Sequence, residues 1–244
     1  MSFLKAEWRK LAIANYEIDP NILYPYLPNG TELDFWEGKC YVSLIGFMFK
    51  NVRLLGVPIP FHINFEEVNL RFYVKRYDTD EDKMNNDYKR GVVFIKEIVP
   101  KPAITFVANT VYGENYQTMK MSHQWIENQN DREIEYTWQK NSKEKLNSIY
   151  LKTEKNLSEI EKESKAEFIT EHYWGYAKKN KRETNEYEVT HPRWQQYKVL
   201  DYKIETDFEK MYGKEFAFLN HQEPASVLLA EGSEITVEPK SKIR

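Results

Sequence analysis

Within Phe65 to Lys75 the chain reads FEEVNLRFYVK, and its residues repeat with a period of two. Val68, Leu70, Phe72 and Val74 fall on one side, and Glu67, Asn69, Arg71 and Tyr73 on the other. That is the spacing of a strand, because successive side chains of a strand leave on opposite faces. A helix would need a repeat of about 3.6 residues. A slip of one residue would turn the whole apolar set outward, so the register is tightly constrained. A second apolar run follows and ends in Lys96, Glu97, Ile98, Val99, Pro100, Lys101 and Pro102. If the two strands pair, Glu67, Asn69, Arg71, Tyr73, Glu97 and Lys101 are candidates for one polar sheet face.

The rest of the chain reads as further strands with a few helices. Strands are expected at 8–18, 32–36, 39–50, 91–99, 103–112, 116–125, 132–139, 147–153, 187–190, 196–206 and 226–230, with a weak last strand at 233–239. Asp19-Pro20 suits the start of a short helix, since Asp caps and Pro fits the first turn. Ser158 with Glu161 resembles a capping box, which predicts a long helix over 158–179, and a shorter one is expected over 207–219. The polar run 78–89 is expected to be an exposed hairpin loop.

Composition agrees with sheet. Aromatic residues make up 15% of the 244 residues, and flat rings suit a half-buried pleated surface. No repeat or composition shift divides the chain, so one domain spanning 1–244 is expected, of the α+β class and mostly antiparallel β. So many strands call for a barrel or a strongly bent sheet, which removes exposed edges.

Other features exclude function classes. The net charge of −3 gives no basic face for nucleic acid. Cys40 is the only cysteine, which rules out an intrachain disulfide and a thiolate metal cluster. No run approaches the roughly 18 apolar residues of a membrane span, and the first ten residues hold no continuous apolar core. A soluble, cytoplasmic protein without a membrane partner is expected. The histidines (His62, His123, His172, His191, His221) form no HExxH-type string, so neither a metal nor another cofactor is expected. No glycine-rich phosphate loop, GxSxG elbow or Cys/His dyad occurs.

Segments 27–49, 61–76, 90–121 and 186–194 together resemble the YqjF-like family of bacterial proteins, whose function is not established. Through that family the chain is similar to the acetoacetate decarboxylases, which implies a bent sheet or closed barrel with a few peripheral helices around an internal pocket. Leu27-Pro28, the strand 40–49, Lys96-Glu97 and Pro100-Lys101 correspond to elements of those enzymes. The decarboxylases use a lysine amine that a neighbouring cation makes nucleophilic. Here Pro102 follows Lys101 where they carry a second lysine, and the spacing from Glu97 to Lys101 is shorter.

The resemblance implies a small-molecule ligand, such as a carboxylate or keto acid. Arg71 would grip its anionic end with two hydrogen bonds. Glu97 would be the acid/base, Lys101 an amine or charge partner, and Glu67, Asn69 and Tyr73 the pocket wall. Tyr112 and Tyr116, flanking the turn at Gly113, and His191 complete the candidates. Two other readings stand beside lyase chemistry. One is a non-catalytic ligand-binding or sensory module. The other is an ordinary solvent-facing strand side, with Arg71 in a surface ion pair to Glu67, or Glu97 held in a structural ion pair with Arg71. Self-association into a homo-oligomer is left open by the sequence.

Overall fold

The alternating segment is a strand, and it is buried on both faces. The computed structural model describes residues 2–243. Among them are strands β1 (Leu4–Ile18), β2 (Glu32–Leu33), β3 (Cys40–Leu54), β4 (Val57–Pro58), β5 (Phe65–Arg76), β6 (Lys89–Val99), β7 (Tyr116–Thr118) and β8 (Lys120–Glu127). They continue as β9 (Asp131–Gln139), β10 (Asn147–Glu159), β11 (Trp174–Lys178), β12 (Thr184–Thr190), β13 (Gln195–Glu205), β14 (Ser226–Val237) and β15 (Ser241–Ile243). The helices are short: α1 (Pro20–Leu23), α2 (Asp80–Asn85), α3 (Pro102–Val107), α4 (Lys165–Thr170) and α5 (Phe208–Tyr212).

All these strands belong to one sheet, whose main path runs β15-β12-β11-β6-β5-β3-β1-β14-β13-β10-β9-β8. Most ladders are antiparallel; β11 and β7 run parallel to β6. The sheet bends until its path meets itself, where Val189 and Thr190 of β12 pair with Val237 and Thr236 of β14. That ladder is too short to make a regular barrel. The result is a mostly antiparallel bent sheet.

The bend creates two cores, one on each side of β5. Val68, Leu70, Phe72 and Val74 are fully buried against Ile134, Tyr136 and Trp138 of β9, Ile149 and Leu151 of β10, and Phe208 of α5. Each of those four side chains contributes about 1.5–3 kcal/mol relative to exposure. The other face of β5 looks into the bend, among Ile45, Phe47 and Phe49 of β3, Ile169 of α4, Trp194, and Ile235 of β14. Glu67, Asn69 and Arg71 are therefore 2%, 1% and 8% exposed, and the solvent-facing reading of this strand side is overturned.

Local chemistry corrects three expected elements. The run 78–89 is not all loop: Thr79 Oγ1 accepts from Asp82 N (3.1 Å) and Asp82 Oδ2 from Thr79 N (2.9 Å), a capping box that starts α2. The helix is polar apart from exposed Met84, so no apolar period announced it. The strand expected over 103–112 is α3 followed by one π-helical turn (Ala108–Tyr112). Pro102 presets the first turn of α3 and outweighs the β-branched residues that suggested a strand. The long helix expected over 158–179 is the end of β10, then α4, then β11. Its cap is Ser164, whose Oγ accepts from Glu167 N at 3.2 Å, rather than Ser158. Trp174 to Lys178 pairs instead with β12, where Gly175 leaves room for the Tyr187 ring. No helix among the described residues is long and apolar enough to cross a membrane.

Candidate functional site

The pairing of β5 with β6 decides which polar side chains enter the bend. Asn69 pairs with Glu97 and Leu70 with Lys96, but Arg71 pairs with Phe94, so Ile95 is an extra residue in a β-bulge. Residues opposite each other share a sheet face. The bulge therefore sends Glu97 to the Asn69 side, inside the bend, and Lys96 to the Leu70 side. Lys96 donates from Nζ to the Met211 carbonyl there. The segment after α3 holds the bulge in place: Asn115 Nδ2 donates to Ile95 O (2.8 Å), and Glu97 N donates to Asn115 O (3.0 Å).

The same segment delivers two more groups. Gly113, at φ 76°, closes the π-helical turn, and β7 then carries Tyr116 alongside Glu97. Glu114 enters between them and β12, where its Oε1 accepts from the Tyr187 hydroxyl at 2.7 Å. The Tyr116 hydroxyl donates to Glu67 Oε2 at 3.2 Å, and Asn69 Nδ2 donates to Glu67 Oε1 at 3.0 Å.

Glu67, Glu97 and Glu114 thus form one buried group of carboxyls. Burial and the Glu114 charge push Glu67 up to about 7, against the hydrogen bonds from Asn69 and Tyr116. Burial lifts Glu114 to about 7, against the Tyr187 hydrogen bond. Glu97 is raised well above the usual carboxylate range, by burial first and then by Glu114 and Glu67. Its Oε2 has no hydrogen-bond partner. Its surroundings therefore favour the protonated form.

Arg71 faces this group along the strand. Its guanidinium donates to the Ile169 carbonyl (3.4 Å) and lies 5.7 Å from the Tyr73 ring centre. Among the described residues no carboxylate lies within ion-pairing distance of it, and its Nε has no acceptor. The expected ion pairs to Glu67 or Glu97 do not form. Near Arg71, His172 is packed against Tyr73 (ring centres 4.6 Å apart), with Nε2 3.7 Å from Asp34 Oδ2. Burial lowers His172 to about 3, so its ring is neutral.

These groups line a cavity of about 330 Å³. Of the residues singled out in the sequence, Glu67, Asn69, Arg71, Glu97, Tyr112, Tyr116 and His191 line it. Tyr73 does not: its hydroxyl is spent on Ser43 Oγ at 2.6 Å, and its ring backs the wall. Lys101 is also absent from the lining; it stands at the N-terminus of α3, and its charge acts on Glu66. Glu66 leaves the opposite side of β5 from Glu67 and bonds His123 at 2.7 Å. Among the described residues no lysine lines the cavity. Sequence reasoning missed Glu114, Tyr187 and Trp8, because each arrives from an element with no polar-face signal of its own. Among the described residues no three His, Cys, Asp or Glu side chains are arranged to hold a metal ion.

Residues 5–234 match the model of the DUF2071 family, described as an uncharacterized conserved protein. The chain belongs to this family. Over 72 residues, 29% of its length, it is 35% identical to the uncharacterized protein YqjF of Bacillus subtilis (strain 168). That alignment spans 30% of the relative's own length. The DUF2071 chain is also similar to acetoacetate decarboxylase from Legionella pneumophila, with a TM-score of 0.64, 12% identity, and 99% and 87% of the two chains covered. Against the enduracididine biosynthesis enzyme MppR complexed with pyruvate, the TM-score is 0.66 at 9% identity, covering 100% and 91%. An acetoacetate decarboxylase-like enzyme from Sphingomonas wittichii RW1 gives 0.64 at 11%, covering 100% and 95%. Likeness at such identity concerns the fold. Both the YqjF-like resemblance and the acetoacetate decarboxylase-like bent sheet read from the DUF2071 sequence hold.

Proposed function

We propose that the cavity binds a small organic acid, of the keto-acid type, and exchanges a proton with it through Glu97. The observation that carries this reading is Arg71, a buried guanidinium without a carboxylate partner, facing a buried group of carboxyls whose surroundings favour the protonated form. An isolated buried charge is costly, and a bound carboxylate would offset that cost with paired hydrogen bonds. With the acid held there, the protonated Glu97 is placed to donate to a carbonyl oxygen. Glu67, once ionised, is placed to accept a proton from the adjacent carbon. A carboxyl kept neutral by its surroundings is suited to stabilising an enolate in this way. The likeness to a fold that in MppR is complexed with pyruvate supports the keto-acid class.

Amine chemistry has less support. Among the described residues no lysine lines the cavity, so the reading gives Lys101 no part and favours proton transfer over a Schiff base. The same observation favours a second reading, a binding module without turnover. Two measurements separate them. Thermal denaturation with pyruvate and acetoacetate should show stabilisation, about 2.7 kcal/mol at 100-fold the Kd. Arg71→Gln should weaken that binding at least 10-fold; an unchanged shift removes Arg71 as anchor. In D2O, bound pyruvate should exchange its methyl protons faster than free pyruvate, and Glu97→Gln should slow this by about 100-fold. Binding with no accelerated exchange would support the non-catalytic module.

A further inference from the structure

Arg71, Asn69 and the three carboxyls occupy one wall of the cavity. They come from β5, β6 and the segment after α3, while the facing wall is made of rings from β1, β3 and the stretch after β12. Trp8 is its centre, with ring centres 5.5 Å from Phe47, 5.9 Å from Phe49 and 6.2 Å from Trp194, the planes inclined by 67°, 83° and 68°. These are edge-to-face arrangements, which present a flat, apolar, slightly negative surface to whatever lies against them. Trp194 is fixed in it by a hydrogen bond from Nε1 to Ser233 Oγ at 2.9 Å. Trp8 is not: its buried Nε1 has no acceptor.

The unpartnered polar atoms around this cavity form a pattern. Arg71 Nε and Trp8 Nε1 are donors without acceptors, while Asn69 Oδ1 and Glu97 Oε2 have no partner either. Arg71, Asn69 and Glu97 are more than nine-tenths buried, and all four residues line the cavity. Buried polar groups are normally satisfied, so these atoms, together with both ring nitrogens of cavity-lining His172, describe a ligand's complementary groups. A keto acid as small as pyruvate would meet Arg71 and Glu97 and leave the ring wall and Trp8 Nε1 untouched.

We infer that the ligand is an aromatic acid: a carboxylate at Arg71, a carbonyl accepting from Glu97 or an enol hydroxyl there that donates to Asn69 Oδ1, and a ring against Trp8, Phe47, Phe49 and Trp194. Trp8 Nε1 then donates to a polar substituent on that ring. This rests on the reading of the cavity as an acid-binding site and adds the class of acid. Pockets of this size and makeup bury most of a ring-bearing ligand, with a few polar groups setting its orientation.

Titration calorimetry of the whole chain with pyruvate, 2-oxooctanoate, phenylpyruvate and 4-hydroxyphenylpyruvate tests it. Phenylpyruvate should bind at least 30-fold tighter than pyruvate and at least 5-fold tighter than 2-oxooctanoate. 4-Hydroxyphenylpyruvate should gain a further 3-fold or more, and Trp8→Phe should erase that last difference. Pyruvate binding as tightly as phenylpyruvate overturns the aromatic class and leaves the acid site standing. Equal affinity for 2-oxooctanoate also overturns it, because the wall would then read apolar volume and not rings. No binding of any acid rejects the acid site itself, and the aromatic class with it. The ligand series on the unaltered protein decides the matter even if Trp8→Phe fails to fold.

Discussion

Replacing Glu97 by glutamine should stabilise the protein clearly at pH 8 and change it little at pH 4.5. In the folded chain burial, with the Glu114 and Glu67 charges beside it, raises the Glu97 carboxyl well above its ordinary value of 4.5. In the unfolded chain that carboxyl loses its proton at its ordinary value. Between the two, the folded state binds more protons than the unfolded one, so stability falls as pH rises through the window. Below it both states are protonated and the cost disappears. Glutamine keeps the shape and removes the ionisation. Glu67 and Glu114, lifted to about 7, add the same slope between 4.5 and 7. His172 acts in the opposite direction: its folded value of about 3 lies below the ordinary 6.5, so its contribution is complete above 6.5 and is lost as pH falls toward 3. The variant-minus-native difference removes the His172 contribution and leaves Glu97 together with its coupling to Glu67 and Glu114. Urea denaturation at both pH values reads it, and each 1 kcal/mol corresponds to about 2–4 °C in Tm for a chain of this length. Identical pH profiles for the two proteins would mean that Glu97 is ionised in the fold, and would remove it as a proton donor.

Gly232→Ala should cost at least about 3 kcal/mol and disturb the cavity as well. Gly232 sits in β14 at φ 80°, where an added Cβ would lie 2.0 Å from the Trp8 carbonyl oxygen and 2.8 Å from Leu11 Cδ1. A carbonyl in a strand ladder cannot rotate out of the way like a flexible side chain. Around it the β1–β3 register already slips between Arg9 and Ala12, and Lys10 stands at φ 55°. Relief of the clash would have to move Trp8, and Trp8 lines the cavity. Lower Tm and weaker ligand binding should therefore appear together. Gly38 is the control: it has φ 76° but nothing within 4 Å of an added Cβ, so Gly38→Ala should cost only about 1 kcal/mol. Equal losses at the two positions would mean that backbone strain alone, and not contact with Trp8, governs Gly232.

Much of the fold was legible because local pattern carried it. The alternation of Val68, Leu70, Phe72 and Val74 with Glu67, Asn69, Arg71 and Tyr73 defined β5 and both of its faces. Glu37-Gly38 is a real turn ahead of β3, although β2 stops at Leu33 instead of reaching 36, and the break at Pro100 marked the end of β6. Where the reading failed, a short-range device overrode composition. Pro102 started a helix in a β-branched run, and Thr79 capped one in a polar run. Gly175 let a strand form against Tyr187 where an aromatic helix was expected.

The site was legible only in its membership. A period of two states that Arg71 and Glu67 share a side, but not what that side meets, because the second layer comes from distant elements. The bend, closed by β12 on β14, turned that side from a water-facing surface into a cavity wall. The same holds at Lys96 and Glu97, neighbours that must face apart. Nothing in their local sequence says which one looks inward. The extra residue at Ile95 decides it, and that bulge exists only in the pairing of β5 with β6. Unbulged, the ladder would set Lys96 opposite Asn69 and place an amine in the cavity. With the bulge, the cavity receives a carboxyl.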